Sequence, residues 1–196
     1  MEAAVLSDPG LDEQARVLAT LVSAFRRDPV ERWLYPDDHQ FEHHFPRFLA
    51  AFGGSAFELG TAWRLGDYAA VALWLPPEAE PDGQKIIGVL MDTVAAAKHA
   101  DTLAALEHMD AAHPTYAHWY LPWFGVHAAD QGQGLGSRLM TACLGVVDAA
   151  GLPAYLETPN PRTVSFYRRH GFTVAEVITA GACPPITLMT RPAHAT

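Results

Sequence analysis

Three glycines follow a short apolar run in the C-terminal half of the chain and indicate a site for a phosphorylated ligand. The segment Val126–Ser137 reads VHAADQGQGLGS, and an amphipathic helical pattern begins directly after its glycines. Residues without a Cβ leave backbone N–H groups unscreened, and N–H groups at the start of a helix lie at its positive end. Such backbone binds phosphate or pyrophosphate, so we expect the chain to hold a phosphorylated cofactor.

Three kinds of phosphate-binding loop differ in the spacing of their glycines. A P-loop requires G-x-x-x-x-G-K-[ST], and the chain contains no lysine after Lys98. A dinucleotide loop requires G-x-G-x-x-G, which this segment lacks; only Glu157, placed where a ribose-binding acid would stand, favours that alternative. The third pattern, Q-x-x-G-x-G, begins at Gln131 and fits without adjustment. It resembles the loop with which GNAT acetyltransferases bind acetyl-coenzyme A.

A second signature of the same superfamily lies downstream. Asn160 precedes Tyr167 by seven residues, and Gly171-Phe172 then opens the next apolar run. Two signatures in this order and separation make the resemblance to the GNAT superfamily specific. The chain is similar to the puromycin N-acetyltransferase branch from Phe25 through Trp74–Glu78 to Leu188–Arg191, most strongly over Trp119–Val174.

The resemblance implies a mixed α/β (α+β) fold with one central twisted mixed sheet flanked by helices. In this GNAT fold the fourth and fifth strands splay apart in a V. Hydrophobic periodicity predicts the elements that must position the two signatures. Strands are predicted over residues 3–6, 56–65, 68–75, 119–126, 153–158, 172–178 and 185–191, and helices over 11–26, 41–52, 82–110, 135–149 and 162–170. Asp8-Pro9 is the predicted start signal of the first helix.

The resemblance also implies which residues contact acetyl-coenzyme A. Pantetheine would lie in the splay and bind the backbone of Phe124, Gly125 and Val126, as an added strand does. Pro122 cannot donate to a ladder and is therefore predicted at a bulge, as expected where a strand leaves its neighbour. The remaining predicted contacts are Gln131, Gly132, Gln133, Gly134, Leu135, Gly136, Ser137, Asn160 and Tyr167.

The implied chemistry is attack of an amine on a thioester. An alkyl ammonium of pKa near 10.4 is neutral in only about one part in 2,500 at pH 7, a cost of roughly 4.6 kcal/mol. Glu157 is the candidate general base, acting through water, and the spacing from Asn160 makes Tyr167 the candidate acid for the departing thiolate. The alternatives are a solvated strand-end carboxylate for Glu157 and a packing role for Tyr167.

The acceptor site is less defined by the sequence. An acidic and aromatic cluster follows the first helix, and aromatic residues on two predicted strands face a common cavity in this interpretation. Such a lining suits an amine with an apolar body, including an aminonucleoside or antibiotic-like amine. Loop charges and core aromatics are the alternative. The candidate acceptor residues are Asp28, Trp33, Tyr35, Trp74, Tyr120 and Trp123.

Composition limits the remaining classes. The chain has 196 residues, 49% of them hydrophobic, and is predicted to form a single domain over 1–196. A net charge of −9 argues against nucleic acid as a partner. We expect no membrane span, no signal peptide and no metal site, and two cysteines without a motif indicate a reducing cytoplasm. The oligomeric state stays open, a homodimer included.

These observations predict an acetyl-CoA-dependent N-acetyltransferase that moves an acetyl group directly to the primary amine of a small molecule in a ternary complex. Three alternatives remain. The chain could acetylate a protein or peptide amine, or it could bind acyl-CoA without catalysis. A dinucleotide-dependent oxidoreductase is the third, disfavoured by the glycine spacing and by the length of the chain.

Overall fold

The computed structural model describes residues 1–193, whose strands form one seven-stranded sheet in the order β1-β2-β3-β4-β5-β7-β6. The strands are β1 (Ala3–Leu6), β2 (Ala62–Leu65), β3 (Ala70–Leu75), β4 (Trp119–Val126), β5 (Ala154–Thr158), β6 (Thr173–Ala180) and β7 (Cys183–Arg191). The helices are α1 (Leu11–Phe25), α2 (Pro29–Leu34), α3 (Asp38–Gly53), α4 (Ser55–Glu58), α5 (Gly83–Thr93), α6 (His99–Ala112), α7 (Leu135–Ala149) and α8 (Val164–Arg169). The predicted mixed fold is confirmed. No helix within residues 1–193 is long and apolar enough to cross a membrane.

The strands β4 and β5 are parallel neighbours that pair only where they begin. Trp119 lies opposite Ala154 and Tyr120 opposite Tyr155. Beyond these pairs β4 continues along β3, whereas β5 continues along β7. The two strands therefore diverge and leave the predicted V-shaped gap in the sheet.

A bulge marks the point where β4 leaves β5. The β3–β4 ladder steps from Leu73–Trp123 to Leu75–Tyr120, so β4 carries one extra residue between these pairs. Pro122 lies within this step, as its missing N–H predicts.

The sheet separates two cores. Helices α7 and α8 cover one face through side chains such as Leu139, Met140 and Tyr167. On the other face, α1 and α3 pack around Trp123 of β4. Its ring lies 5.3 to 5.7 Å from the rings of Phe25, Phe45, Phe48 and Phe52. Buried rings at these distances attract one another, and they hold this part of β4 in place.

The helix-start signal was predicted at the wrong Asp-Pro pair. Asp8 has a φ of +54°, and Gly10 precedes α1 without a side-chain cap. The second pair starts α2 instead, because Asp28 accepts hydrogen bonds from the backbone N–H groups of Val30 and Glu31 while Pro29 occupies the first turn. The acidic and aromatic segment after α1 is therefore a capped helix, which the sequence interpretation missed.

Three other predicted elements differ. The strand over 56–65 is shortened, because Ala56 and Phe57 belong to α4 and bury their side chains in the core. The helix over 82–110 is divided, since Val94 at the end of α5 has an extended backbone. On α7, Val146 is exposed although it was predicted to face inward. In the first two cases packing overrides the local pattern.

Candidate active site

The loop between β4 and α7 has a backbone conformation that favours glycine. Gly132 and Gly134 both have a φ of +77°, and Gly134 is the N-cap of α7 without a side-chain hydrogen bond. A Cβ in this left-handed region costs about 1 to 2 kcal/mol. The Nε2 of Gln131 donates to the carbonyl of Val126 at 3.1 Å and ties the loop to the end of β4. Because no side chain caps the start of α7, the N–H groups of its first turn can donate to a ligand.

The third glycine of the loop acts through close packing. A Cβ on Gly136 would lie 3.3 Å from Cγ2 of Val126 and 3.4 Å from Cε2 of Phe166. Its absence lets α7 approach β4 and α8. Of the other predicted loop residues, Leu135 is buried, Ser137 is half-buried and Gln133 is exposed.

Along β4, the direction of the backbone groups separates the three predicted pantetheine contacts. The N–H of His127 donates to Ala69 of the β3 side at 2.9 Å. Because hydrogen-bonded and non-hydrogen-bonded pairs alternate in an antiparallel ladder, Gly125 also directs its backbone groups to β3. Phe124 and Val126 direct theirs into the gap. Gly125 serves packing instead, since a Cβ there would lie 2.8 Å from Cβ of Ala24.

Glu157 lies on β5 beside the gap, within a hydrogen-bonded group of aromatic side chains. The hydroxyl of Tyr120 donates to its Oε2 at 2.5 Å, and the Glu157 side chain is only 7% exposed. Burial, and then the charge of Glu157, raise the pKa of Tyr120 well above its ordinary value. Tyr120 therefore stays protonated and stabilises the Glu157 carboxylate. This environment is not that of a solvated strand-end acid.

Two histidines that the sequence interpretation did not single out form a chain of contacts that begins at Glu157. Nδ1 of His113 lies 3.8 Å from Oε1 of Glu157, and Nε2 of His113 lies 3.1 Å from Nε2 of His118. Burial is the main cause that lowers the pKa of His118. The four residues between these histidines give no periodic signal, because His113 follows α6 and His118 precedes β4.

Tyr167 is buried in the core on the α7 side of the sheet. Its ring packs against Phe166 and Phe172, whereas its pKa is raised by burial and then by the charge of Asp28. Asp28 caps α2, whose Val30 and Leu34 belong to the other core. The charge of Asp28 thus acts on Tyr167 from the other side of the sheet. A place for the phenol at the gap stays a prediction.

Asn160 closes the turn before α8. Its Oδ1 accepts a hydrogen bond from the N–H of Arg162 at 3.1 Å, and its carbonyl accepts one from the N–H of Thr163. The side-chain oxygen of Asn160 is thus occupied by a hydrogen bond within its own turn. A contact with pantetheine stays a prediction.

A cavity opens beside the gap on the face covered by α2 and α6. Its empty space, with the solvent at its mouth included, amounts to about 620 Å³. The walls are mainly apolar, with Glu157 at the sheet and Glu31 on α2. Its lining is Val30, Glu31, Trp33, Leu34, Phe48, Phe52, Leu90, Thr102, Ala105, Leu106, Met109, Tyr120, Pro122, Trp123, Glu157, Pro159, Cys183 and Ile186. A cavity of this kind suits a small ligand with an apolar body.

Only half of the predicted acceptor residues line this cavity. Trp33, Tyr120 and Trp123 do so. The prediction is wrong for Trp74, whose ring packs against Trp119 in the core under α7, because successive β3 side chains alternate between faces. Tyr35 is buried and bonded to the hydroxyl of Thr93 at 2.8 Å, and Asp28 caps α2.

Comparison with known proteins agrees with this geometry. The acetyltransferase (GNAT) family model matches residues 20–172. An uncharacterized N-acetyltransferase of Schizosaccharomyces pombe is 26% identical over 190 residues, covering 83% of this chain and 72% of its own.

Two solved structures share the fold. One, from Corynebacterium glutamicum, is described as histone acetyltransferase HPA2 and related acetyltransferase; it has a TM-score of 0.64 at 22% identity over 100% of this chain and 99% of its own. Arylalkylamine N-acetyltransferase 2 from Aedes aegypti has a TM-score of 0.65 at 11% identity. The match covers 98% of this chain and 99% of the Aedes aegypti chain. By the match to its family model, the chain belongs to the acetyltransferase (GNAT) family and is an acetyltransferase.

Proposed function

We propose that the enzyme transfers the acetyl group of acetyl-CoA directly to the primary amine of a small molecule. The observation that carries this proposal is the placement of Glu157 between the gap and an apolar cavity, with the glycine loop at the diverging end of β4. A donor held along the gap and an acceptor held in the cavity would meet at Glu157.

The residues present fit acetyl-CoA. Phe124 and Val126 direct backbone groups into the gap, where their N–H groups can donate to a carbonyl oxygen and the C=O of Phe124 can accept from an amide. The C=O of Val126 already accepts from Gln131. The first turn of α7 offers N–H groups to pyrophosphate. Arg138 donates to the carbonyl of Met1, so the binding of pyrophosphate relies on backbone more than on charge. When bound, acetyl-CoA supplies the activated thioester.

Glu157 acts as the general base in this proposal. Tyr120 stabilises its charged form, which is the form that accepts a proton from the amine, directly or through water. His113 then provides an exit for the proton, since it lies 3.8 Å from Glu157 and its side chain is 26% exposed. The pair His113–His118 is therefore a positioning and relay element for the base.

Tyr167 acts as the general acid. Its raised pKa keeps the phenol protonated at any working pH, so a proton is always present to give to the departing sulfur. Burial raises the pKa of the cavity-lining Cys183 to about 11, so this thiol is not a nucleophile near neutral pH. That supports direct transfer over a covalent acyl-enzyme.

The acceptor class follows from the cavity walls. Aromatic and aliphatic side chains surround a carboxylate, which favours a primary amine on an apolar body. The structurally similar Aedes aegypti enzyme is named for arylalkylamines, which have this character. An aminonucleoside acceptor, as implied by the resemblance to the puromycin N-acetyltransferase branch, is the finer proposal.

The test is the release of thiol from acetyl-CoA across arylalkylamines, linear amines, an aminonucleoside and a lysine peptide. We expect turnover with small amines, and Glu157→Gln should abolish most of it while leaving acetyl-CoA binding intact. Turnover with the peptide alone would replace the small-molecule acceptor by a protein. No turnover, with acetyl-CoA still raising the melting temperature, would indicate a binding module.

Two coarser expectations accompany this proposal. We propose that residues 1–196 form one acetyltransferase domain, because the sheet that contains the family match extends from Ala3 to Arg191. We also propose a reducing, cytoplasmic location, supported by two cysteines that are buried and free.

A further inference from the structure

Two polar atoms in the wall of the cavity are buried and have no partner. Oε2 of Glu31 and Oγ1 of Thr102 form no hydrogen bond within residues 1–193, although both residues are only 3% exposed. The other polar groups of the lining differ. Nε1 of Trp123 donates to the carbonyl of Leu49, and Tyr120 donates to Glu157.

A buried carboxyl without a partner is costly. Leaving a buried polar group unsatisfied costs about 1 to 3 kcal/mol, and more for a charged group. Glu31 follows Asp28 by one helical turn, so its carboxyl also lies near a second acid. Within residues 1–193 no hydrogen bond to Oε2 of Glu31 compensates for this arrangement, whereas a ligand in the cavity could supply one.

The charge of the cavity indicates what that ligand carries. None of the lining residues in the described chain is a lysine, arginine or histidine. The titratable groups that interact with Glu31 are Asp28 on its own helix, Tyr35 at the end of that helix and Cys183 on β7. Each of these adds negative charge or none. Glu31 thus has no counter-charge among them.

We propose that the acceptor is a bifunctional amine whose second cationic group binds Glu31 and Thr102. This rests on the proposed function: Glu157 receives the amine that is acetylated, and the apolar walls enclose the stem between the two ends. The second ammonium donates to Oε2 of Glu31 and to Oγ1 of Thr102, which satisfies both atoms.

Binding of such a ligand releases a proton. Burial, and then Asp28, raise the pKa of Glu31 well above its ordinary value, so the empty cavity favours the neutral acid. A cation beside the carboxyl lowers that pKa and favours the charged form. A monoamine that leaves Glu31 uncontacted releases no proton from it.

The experiment compares monoamines and diamines of equal chain length, from butylamine against butanediamine to octylamine against octanediamine. We expect the best diamine to exceed its monoamine in kcat/KM by roughly 10- to 100-fold, the value of one hydrogen bond to a charged group. Glu31→Gln and Thr102→Val should reduce that preference, measured in each variant as the ratio of kcat/KM for the diamine to kcat/KM for the monoamine of equal length. Glu107→Gln, which removes an exposed acid of α6, is the matched control and should change neither.

Calorimetry in buffers of different ionisation enthalpy separates this inference from the proposed function. Proton release by a diamine that disappears in Glu31→Gln would support the site even if no amine were acetylated. Equal kcat/KM for each wild-type pair would overturn it while leaving the acetyltransferase intact. If the wild-type enzyme preferred amines with a terminal hydroxyl and showed no preference for diamines, the second group of the ligand would not be a cation and the proposal would be overturned. The comparison of diamines with monoamines uses the wild-type enzyme, so it remains valid even if a variant fails to fold.

Discussion

The hydrogen bond from Tyr120 to Glu157 allows a quantitative prediction about the base. Tyr120→Phe removes the donor that lies 2.5 Å from Oε2 of Glu157 and leaves the ring in place. A hydrogen bond to a charged group contributes about 1.5 to 3 kcal/mol, and a buried charge left without its donor loses that contribution. The free energy of unfolding should therefore fall by about 1.5 to 3 kcal/mol. The value of kcat/KM should fall as well, because Tyr120 no longer holds the Glu157 carboxylate beside the gap.

The matched control is Tyr116→Phe. The Tyr116 side chain is exposed, so the loss of its hydroxyl should change neither the free energy of unfolding nor kcat/KM. The assay is the initial rate at low amine concentration, with urea unfolding of each variant. Unchanged stability together with unchanged kcat/KM in Tyr120→Phe would show that this hydrogen bond does not support the base.

Three further variants test the remaining roles. Tyr167→Phe should lower kcat by roughly 100-fold or more with little change in acetyl-CoA affinity, and equal loss of both would instead indicate a packing role. Gly134→Ala should raise the KM for acetyl-CoA and lower the free energy of unfolding by about 1 kcal/mol, because φ is +77° there. Gly125→Ala should lower the free energy of unfolding by about 1 to 3 kcal/mol through its 2.8 Å approach to Ala24, yet leave that KM unchanged. A raised KM for acetyl-CoA in Gly125→Ala would instead indicate that the backbone of Gly125 contacts the cofactor.

The elements around the proposed cofactor site were predictable because their signals are local. The loop from Gln131 to Gly136 and the helix after it depend on backbone conformation, which spacing and glycine content encode directly. The bounds of β4 and α7 agree with the predicted ranges. The bulge at Pro122 followed from one missing N–H, without knowledge of the neighbouring strand.

The acceptor cavity was less predictable because its walls come from distant segments. Glu31 and Thr102 lie on α2 and α6, and no spacing in the sequence indicates that their side chains meet one cavity. The capped start of α2 was missed, although Asp28-Pro29 carries the signal that was assigned to Asp8-Pro9. Local chemistry is the same at both pairs, so the choice between them depends on packing.

The two halves of the site therefore respond differently to sequence change. The proposed cofactor side would consist of backbone groups of β4 and the first turn of α7, which keep their direction under most side-chain substitutions. The acceptor side consists of side chains from helices and strands, with Glu157 at the boundary. A substitution such as Glu31→Gln can alter the amine that binds without disturbing the gap or the glycine loop. The fold and the proposed use of acetyl-CoA can thus be shared by relatives whose acceptors differ, because the acceptor depends on the side chains of the cavity.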